Sequence, residues 1–259
     1  MSRDHYMAFR QQIEDRLGDA VMASEAGIGV LTGWRGDWAA LHLARVIVNC
    51  GSMLRIIDAG IKFAPGSQLL DHFSVASIAR TAIEAQIMML YVSDPKIGFE
   101  EWEMRRQVFH LHDTVHRIRM FKPTAARDDA ATQKTLEALR IGREELLGDL
   151  GRDAYFRALT DDQKKRILAG QDFYVGGIRA AVRSIGWDVA EYEFYSTYLS
   201  AYIHSSPVSF FRADQHGVDF ATVSDFQYGL CGTALAAVSE HLPQLTARIY
   251  QLISMEKGL

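Results

Sequence analysis

The stretch Phe73-Ser-Val-Ala-Ser-Ile-Ala-Arg80-Thr-Ala-Ile-Glu84-Ala-Gln86-Ile-Met-Met-Leu-Tyr-Val92 decides the fold class. Apart from Arg80, Glu84 and Gln86 its side chains are apolar or small, and they occupy every side of a helical turn rather than one stripe. A helix of that kind is enclosed by other helices or by lipid. Two ionised groups at its middle make the bilayer costly, so the stretch reads as the core helix of an all-α protein.

Working outward, the spacing stays helical and the breakers are sharp. Tyr6, Phe9, Ile13 and Leu17 space a first helix. Asp37 is the expected cap of a second, running to about Phe63 before the Pro65-Gly66 turn. The core helix is expected over about 68–92, ending before Asp94-Pro95, because the residue preceding proline disfavours helix. A fourth helix is expected from Phe99 to Phe121, stopped by Pro123, and leucines from Leu136 to Leu150 space a fifth. Thr160-Asp-Asp-Gln163 and Ser224-Asp-Phe-Gln227 have capping-box spacing and open further helices. Between them, helices are expected near Ile178–Ile185, closed by Gly186, and over Ala190–Ser205, with Pro207 just beyond. The last helix is kinked or broken at Pro243. Val208–Phe211 and Val218–Val223 are the only strand candidates. The expected architecture is one domain over 1–259: a compact helical bundle, about 37–123 and 188–257, with a more polar helical insertion at 124–187.

Composition narrows the function classes. The chain has 259 residues and a formal charge of -4, with 28 Lys+Arg against 32 Asp+Glu, which argues against coating nucleic acid with the whole surface. Five prolines argue against a linker-rich or loop-dense β protein. Cys50 and Cys231 stand alone in apolar runs, as reduced buried thiols of a cytoplasmic protein do. Met1 to Arg10 carries no apolar signal-peptide core, and no membrane contact is expected. Phosphate-cradling glycine loops, a Gly-x-Ser-x-Gly elbow and any Glu-x-x-His pair are missing, so no cofactor or metal is expected. Arg35-Gly36-Asp37 reads as a turn with a helix cap.

The candidate site follows from the core helix. Arg80 and Glu84, shielded from water, need each other or further partners. The surface-stabilising order places Glu before Arg, and here it is reversed. Downstream, Tyr195 to Ser206 is rich in hydroxyls. Thr197, Ser200 and His204 share one helical face, with Tyr195, Tyr198 and Tyr202 on the next. His204, in the last turn, could move a proton beside a carboxylate. The expected site is therefore Arg80 gripping an anion, Glu84 as orienting group or base, His204 as proton shuttle, and Tyr198 and Ser200 as hydrogen-bonding partners. It would bind, or hydrolyse, a small anionic or phosphate-bearing ligand. Equally, the ion pair and the histidine could be structural.

The Arg80-x-x-x-Glu84 pair, followed well downstream by Tyr198, Leu199, Ser200 and His204, resembles an uncharacterised bacterial all-helical family catalogued only as a domain of unknown function. The similarity spans about residues 35–245. It implies that the two segments meet in space and brings no known reaction.

A second reading places the chemistry on the fourth helix. The basic stretch 102–127 could face RNA, and the Arg105/His110 and Arg106/His112 spacings are similar to the Arg-x4-6-His signature of HEPN ribonucleases (the higher-eukaryote and prokaryote nucleotide-binding helical superfamily). That resemblance implies metal-independent RNA cleavage, histidine acting on the 2′-hydroxyl and arginine on the phosphate. Such spacings also arise by chance in a chain with nine histidines. His112 and His116, one turn apart, lack a convergent third metal ligand. A third reading is a non-enzymatic interaction module in stress or phage defence, acting through 124–187. Aromatic content near Trp34, Trp38, Phe210 and Phe211 makes a homodimer an expectation, with no interface located by the sequence.

Overall fold

The computed structural model describes residues 3–60, 69–125, 129–219 and 222–258. Among them it forms twelve helices in the order α1 (Arg3–Gly27), α2 (Trp34–Ala59), α3 (His72–Val92), α4 (Phe99–Ala125), α5 (Ala130–Arg152), α6 (Ala154–Arg157), α7 (Asp161–Leu168), α8 (Ile178–Ser184), α9 (Val189–Ile203), α10 (Pro207–Gln215), α11 (Asp225–Ser239) and α12 (Leu242–Glu256). The fold class is all-α. The helices divide into two compact units, residues 1–94 with 188–259 and residues 95–187.

In the first unit α3 is the hub, packing against α2, α9, α11 and α12. Asp71 caps it by accepting from the Ser74 N–H, and Ala76, Ala79, Ile87, Met89 and Leu90 are fully sealed. Both α2 and α3 are long and apolar enough to cross a membrane, but 67% of the apolar window of α3 lies inside the protein, against 33% for α2. The carbonyls left over at helix ends are met by side chains from other helices, as buried polar groups require. Arg248 of α12 donates to the Leu90 and Ser93 carbonyls at the end of α3. At the α11–α12 break, Gln86 donates to the Val238 carbonyl and Arg16 to that of Ser239. Gln86 is therefore buried for a reason the sequence pattern does not reveal.

The second unit has its own core, in which Met104, Val108, Leu111 and Val115 form one stripe of α4. That stripe meets Leu150 of α5, Phe156 of α6 and Ile167 of α7. The second unit runs from Pro95 to Trp187 and includes α4, which buries its apolar stripe against α5.

Several local expectations are corrected. The second helix starts at Trp34, capped by Gly33 without a side-chain bond, so Asp37 lies within the first turn instead of capping it. Its expected end at Phe63 and the Pro65-Gly66 turn fall outside the described residues. Pro123 lies inside α4, which runs on to Ala125. Only the final turn loses a backbone bond there, a smaller penalty than a mid-helix proline imposes. Val208–Phe211 is helix, not strand: Pro207 occupies the first helical position, where its missing N–H costs nothing. The described residues of Val218–Val223 carry no strand. Both capping boxes form, and the C-terminal break falls at Glu240–His241 with Pro243 in the first turn of α12.

Candidate functional site

Arg80 and Ser200 do meet. Arg80 Nη1 lies 2.8 Å from Glu84 Oε1, and its Nε donates to Ser200 Oγ at 3.2 Å, tying α3 to α9. The couple is not sealed, however. The Arg80 side chain is only 13% exposed and its Nη1 is buried, whereas the Glu84 side chain is 56% exposed, so the pair is open to solvent on its carboxylate side alone. The open side of α3 carries the partly exposed Ser74, Ser77, Arg80 and Thr81 with the exposed Glu84, and its small residues pass for apolar in a composition window. Glu84→Gln is therefore expected to change the unfolding free energy by less than ~1 kcal/mol in urea titrations, as for other solvent-facing ion pairs. A loss of several kcal/mol would show a desolvated couple instead.

His204 does not join the pair. It is the exposed C-cap residue of α9, and its ring makes no hydrogen bond or ion pair among the described residues. Tyr198 also leaves the Arg80 group. Its ring stacks on Phe194 at 5.8 Å and 10° and meets the edge of Tyr202 at 5.7 Å. Burial, with the Tyr198 hydroxyl alongside, pushes the Tyr202 phenol well above its usual range.

Tyr198 faces a different cleft, of about 300 Å³, lined by Tyr198, Arg212, His216, Asp225, Phe226 and Thr233 with Gly229 and Leu230. Local sequence explains how these groups converge. Ser205 adopts φ 47°, the left-handed conformation that usually ends a helix, and the Ser206 N–H bonds back to the Ala201 carbonyl. Pro207 then starts α10 at once, folding it against α9. Along α10, Ser209 and Ala213 are buried, and Arg212 and His216, four residues apart, lie on the same side. The His216 ring stacks on Phe226 of α11 at 4.8 Å and 10°. Phe226 in turn meets the edge of His72.

His72 and Gln227 brace this wall from inside. Both are fully buried, with Gln227 Nε2 at 3.3 Å from both the Leu70 carbonyl and His72 Nδ1. His72 Nδ1 is also 3.1 Å from the Leu70 carbonyl, and burial lowers its pKa, so the imidazole stays neutral. At the cleft the Thr233 hydroxyl donates to the Gly229 carbonyl, while the two charged groups have no ionic partner among the described residues. Arg212 makes only a long 3.5 Å contact to Gln215 and no ion pair among the described residues. Asp225 makes no side-chain bond there either, because Ser224 and Gln227 complete the capping box without it.

Sequence reasoning named Tyr198, but as a partner of Arg80, and did not name Arg212, His216 or Asp225. The available signal was Arg212-x-x-x-His216, which becomes a shared face only if 207–216 is helical. Of the expected contact aromatics, Phe210 and Phe211 are exposed, whereas Trp34 and Trp38 are half-buried.

On α4 Arg105, Arg106 and Arg119 are already engaged. Arg105 holds Glu101 at 2.7 Å, and Arg106 clamps Glu103 through Nε and Nη2. Arg106 Nη1 lies 3.0 Å from the exposed His110 Nε2. His112 is partly buried between His116 and the Phe173 edge, and burial first, then His116, lowers its pKa. Arg119 donates to the Ala169 carbonyl, and His116 Nε2 lies 3.1 Å from that of Gly170. These contacts fasten α4 to the end of α7. No group of three metal-ligating side chains forms among the described residues. Set against models of known families, curated proteins and solved structures, the chain has no significant match to any of them.

Proposed function

We propose that the first unit binds a small anionic or phosphate-bearing ligand in the cleft between α9, α10 and α11. The observation that carries this reading is the exposed Arg212 guanidinium, which has no ion-pair partner among the described residues and borders a cleft shared with Tyr198 and the His216 ring. An arginine can hold a phosphate through two parallel N–H bonds, and hydroxyls and an imidazole can complete the oxyanion's shell. A volume of about 300 Å³ suits a small molecule. Arg80, by contrast, has its carboxylate in place, and Arg105 and Arg106 have theirs. We place the protein in the cytoplasm, a reading supported by two free, buried thiols.

Titration with inorganic pyrophosphate tests the assignment. Arg212→Gln is expected to weaken binding by about tenfold, in the range of one lost charge-assisted hydrogen-bond pair. Arg80→Gln is expected to leave the affinity unchanged. Equal affinity in wild type and Arg212→Gln, or loss only in Arg80→Gln, would overturn the assignment.

A further inference from the structure

The carboxylate in the same cleft is unexplained by an anion alone. Asp225 borders the space that Arg212 borders, both are exposed, and no ion pair forms between them. The N-terminal position of Asp225 in α11 is favourable for a carboxylate, but the cap is already closed by Ser224 and Gln227. Two opposite charges therefore border one small cleft without forming a salt bridge to each other. A simple anion would gain from Arg212 and be opposed by Asp225. A ligand with an anionic group at one end and an ammonium at the other satisfies both.

Resting on the anion-binding reading, we infer that the ligand is a small zwitterion, a phosphate or carboxylate carrying a primary amine. Its anionic end meets Arg212, with the Tyr198 hydroxyl alongside, and its ammonium end meets Asp225. The flat His216–Phe226 wall lies along the cleft and presents apolar surface to the carbon linker. Charge complementarity at both ends makes this a site that discriminates: removing the amine leaves Asp225 as a repulsive element, so specificity comes from repulsion as well as attraction.

The test compares O-phosphoethanolamine with ethyl phosphate, which keeps the phosphate monoester and lacks the amine. Binding is followed by phosphorus NMR on the full chain. The wild type is expected to prefer O-phosphoethanolamine by about threefold to fivefold, the scale of one exposed ion pair. Asp225→Asn is expected to abolish that preference while ethyl phosphate binds as well or better, and Arg212→Gln to weaken both probes. Equal binding of the two probes, unaffected by Asp225→Asn, overturns the zwitterion and leaves the anion site standing. Failure of both probes to bind overturns the anion site itself. The same headgroup chemistry exists in lipids, so vesicles with and without phosphatidylethanolamine form a second arm. Co-sedimentation dependent on that lipid, together with binding of the soluble probe, supports the zwitterion with a membrane source. Binding of the soluble probe alone supports a free small molecule.

Discussion

Leu90→Ala should lower the stability of the first unit by about 3 kcal/mol, within the 2–5 kcal/mol that such truncations cost in packed cores. Leu90 has no solvent exposure and lies on the helix that packs against four others. Its neighbours on α3, Met89 and Ile87, are equally sealed, so little slack exists to refill the space. Hydrogen exchange on α3 peptides reads this loss locally, which matters because two units need not unfold together. The same peptides with unchanged protection in Leu90→Ala would contradict α3 as the hub. The second unit, whose core residues are separate, should keep its exchange pattern.

Acid should weaken the first unit, and His42 should be the largest single reason. Burial, assisted by Arg45, pushes the His42 pKa from 6.5 down to about 4. Its Nδ1 is buried without a hydrogen-bond partner. As pH falls below 6.5 the unfolded chain takes up a proton that the folded state refuses until about pH 4. The unfolded state then binds more protons, so stability falls through that window as the pH drops. Between pH 7 and pH 5 the loss from this one group is about 2 kcal/mol. His72 and His241, also lowered by burial, act in the same direction. His42→Leu should remove most of that decline while leaving stability at pH 7 nearly unchanged. Urea midpoints at pH 7 and pH 5 measure it. Superimposable acid limbs in wild type and variant would show that His42 is accessible to protons in the folded state.

The sequence made the fold legible wherever a physical signal was long or reciprocal. Twenty residues of all-round apolar character marked α3, and paired hydroxyl and amide residues marked the starts of α7 and α11. The failures share a cause in short signals with two meanings. Pro207 can stop one helix or start another, and four residues from Val208 to Phe211 are too few to display a helical period. Losing α10 meant losing the face that holds Arg212 and His216. Likewise, the stretch around Arg80 looked buried on all sides because Ser74, Ser77 and Thr81 on its open edge are small residues that a buried helix also accepts. The Arg80–Ser200 contact across 120 residues was legible as a convergence of polar groups on two helices, but its exposure was not. Asp225 was hidden inside a capping box, where an acidic residue needs no further explanation.

We propose the cleft at α9, α10 and α11 as the anion site. Amide chemical shifts of the wild-type protein during a pyrophosphate titration test it most directly. Saturable shifts concentrated at Tyr198, residues 212–216 and residues 225–233 are the expected result. Shifts centred instead on Arg80 and Glu84, or on the 105–112 segment of α4, would contradict it.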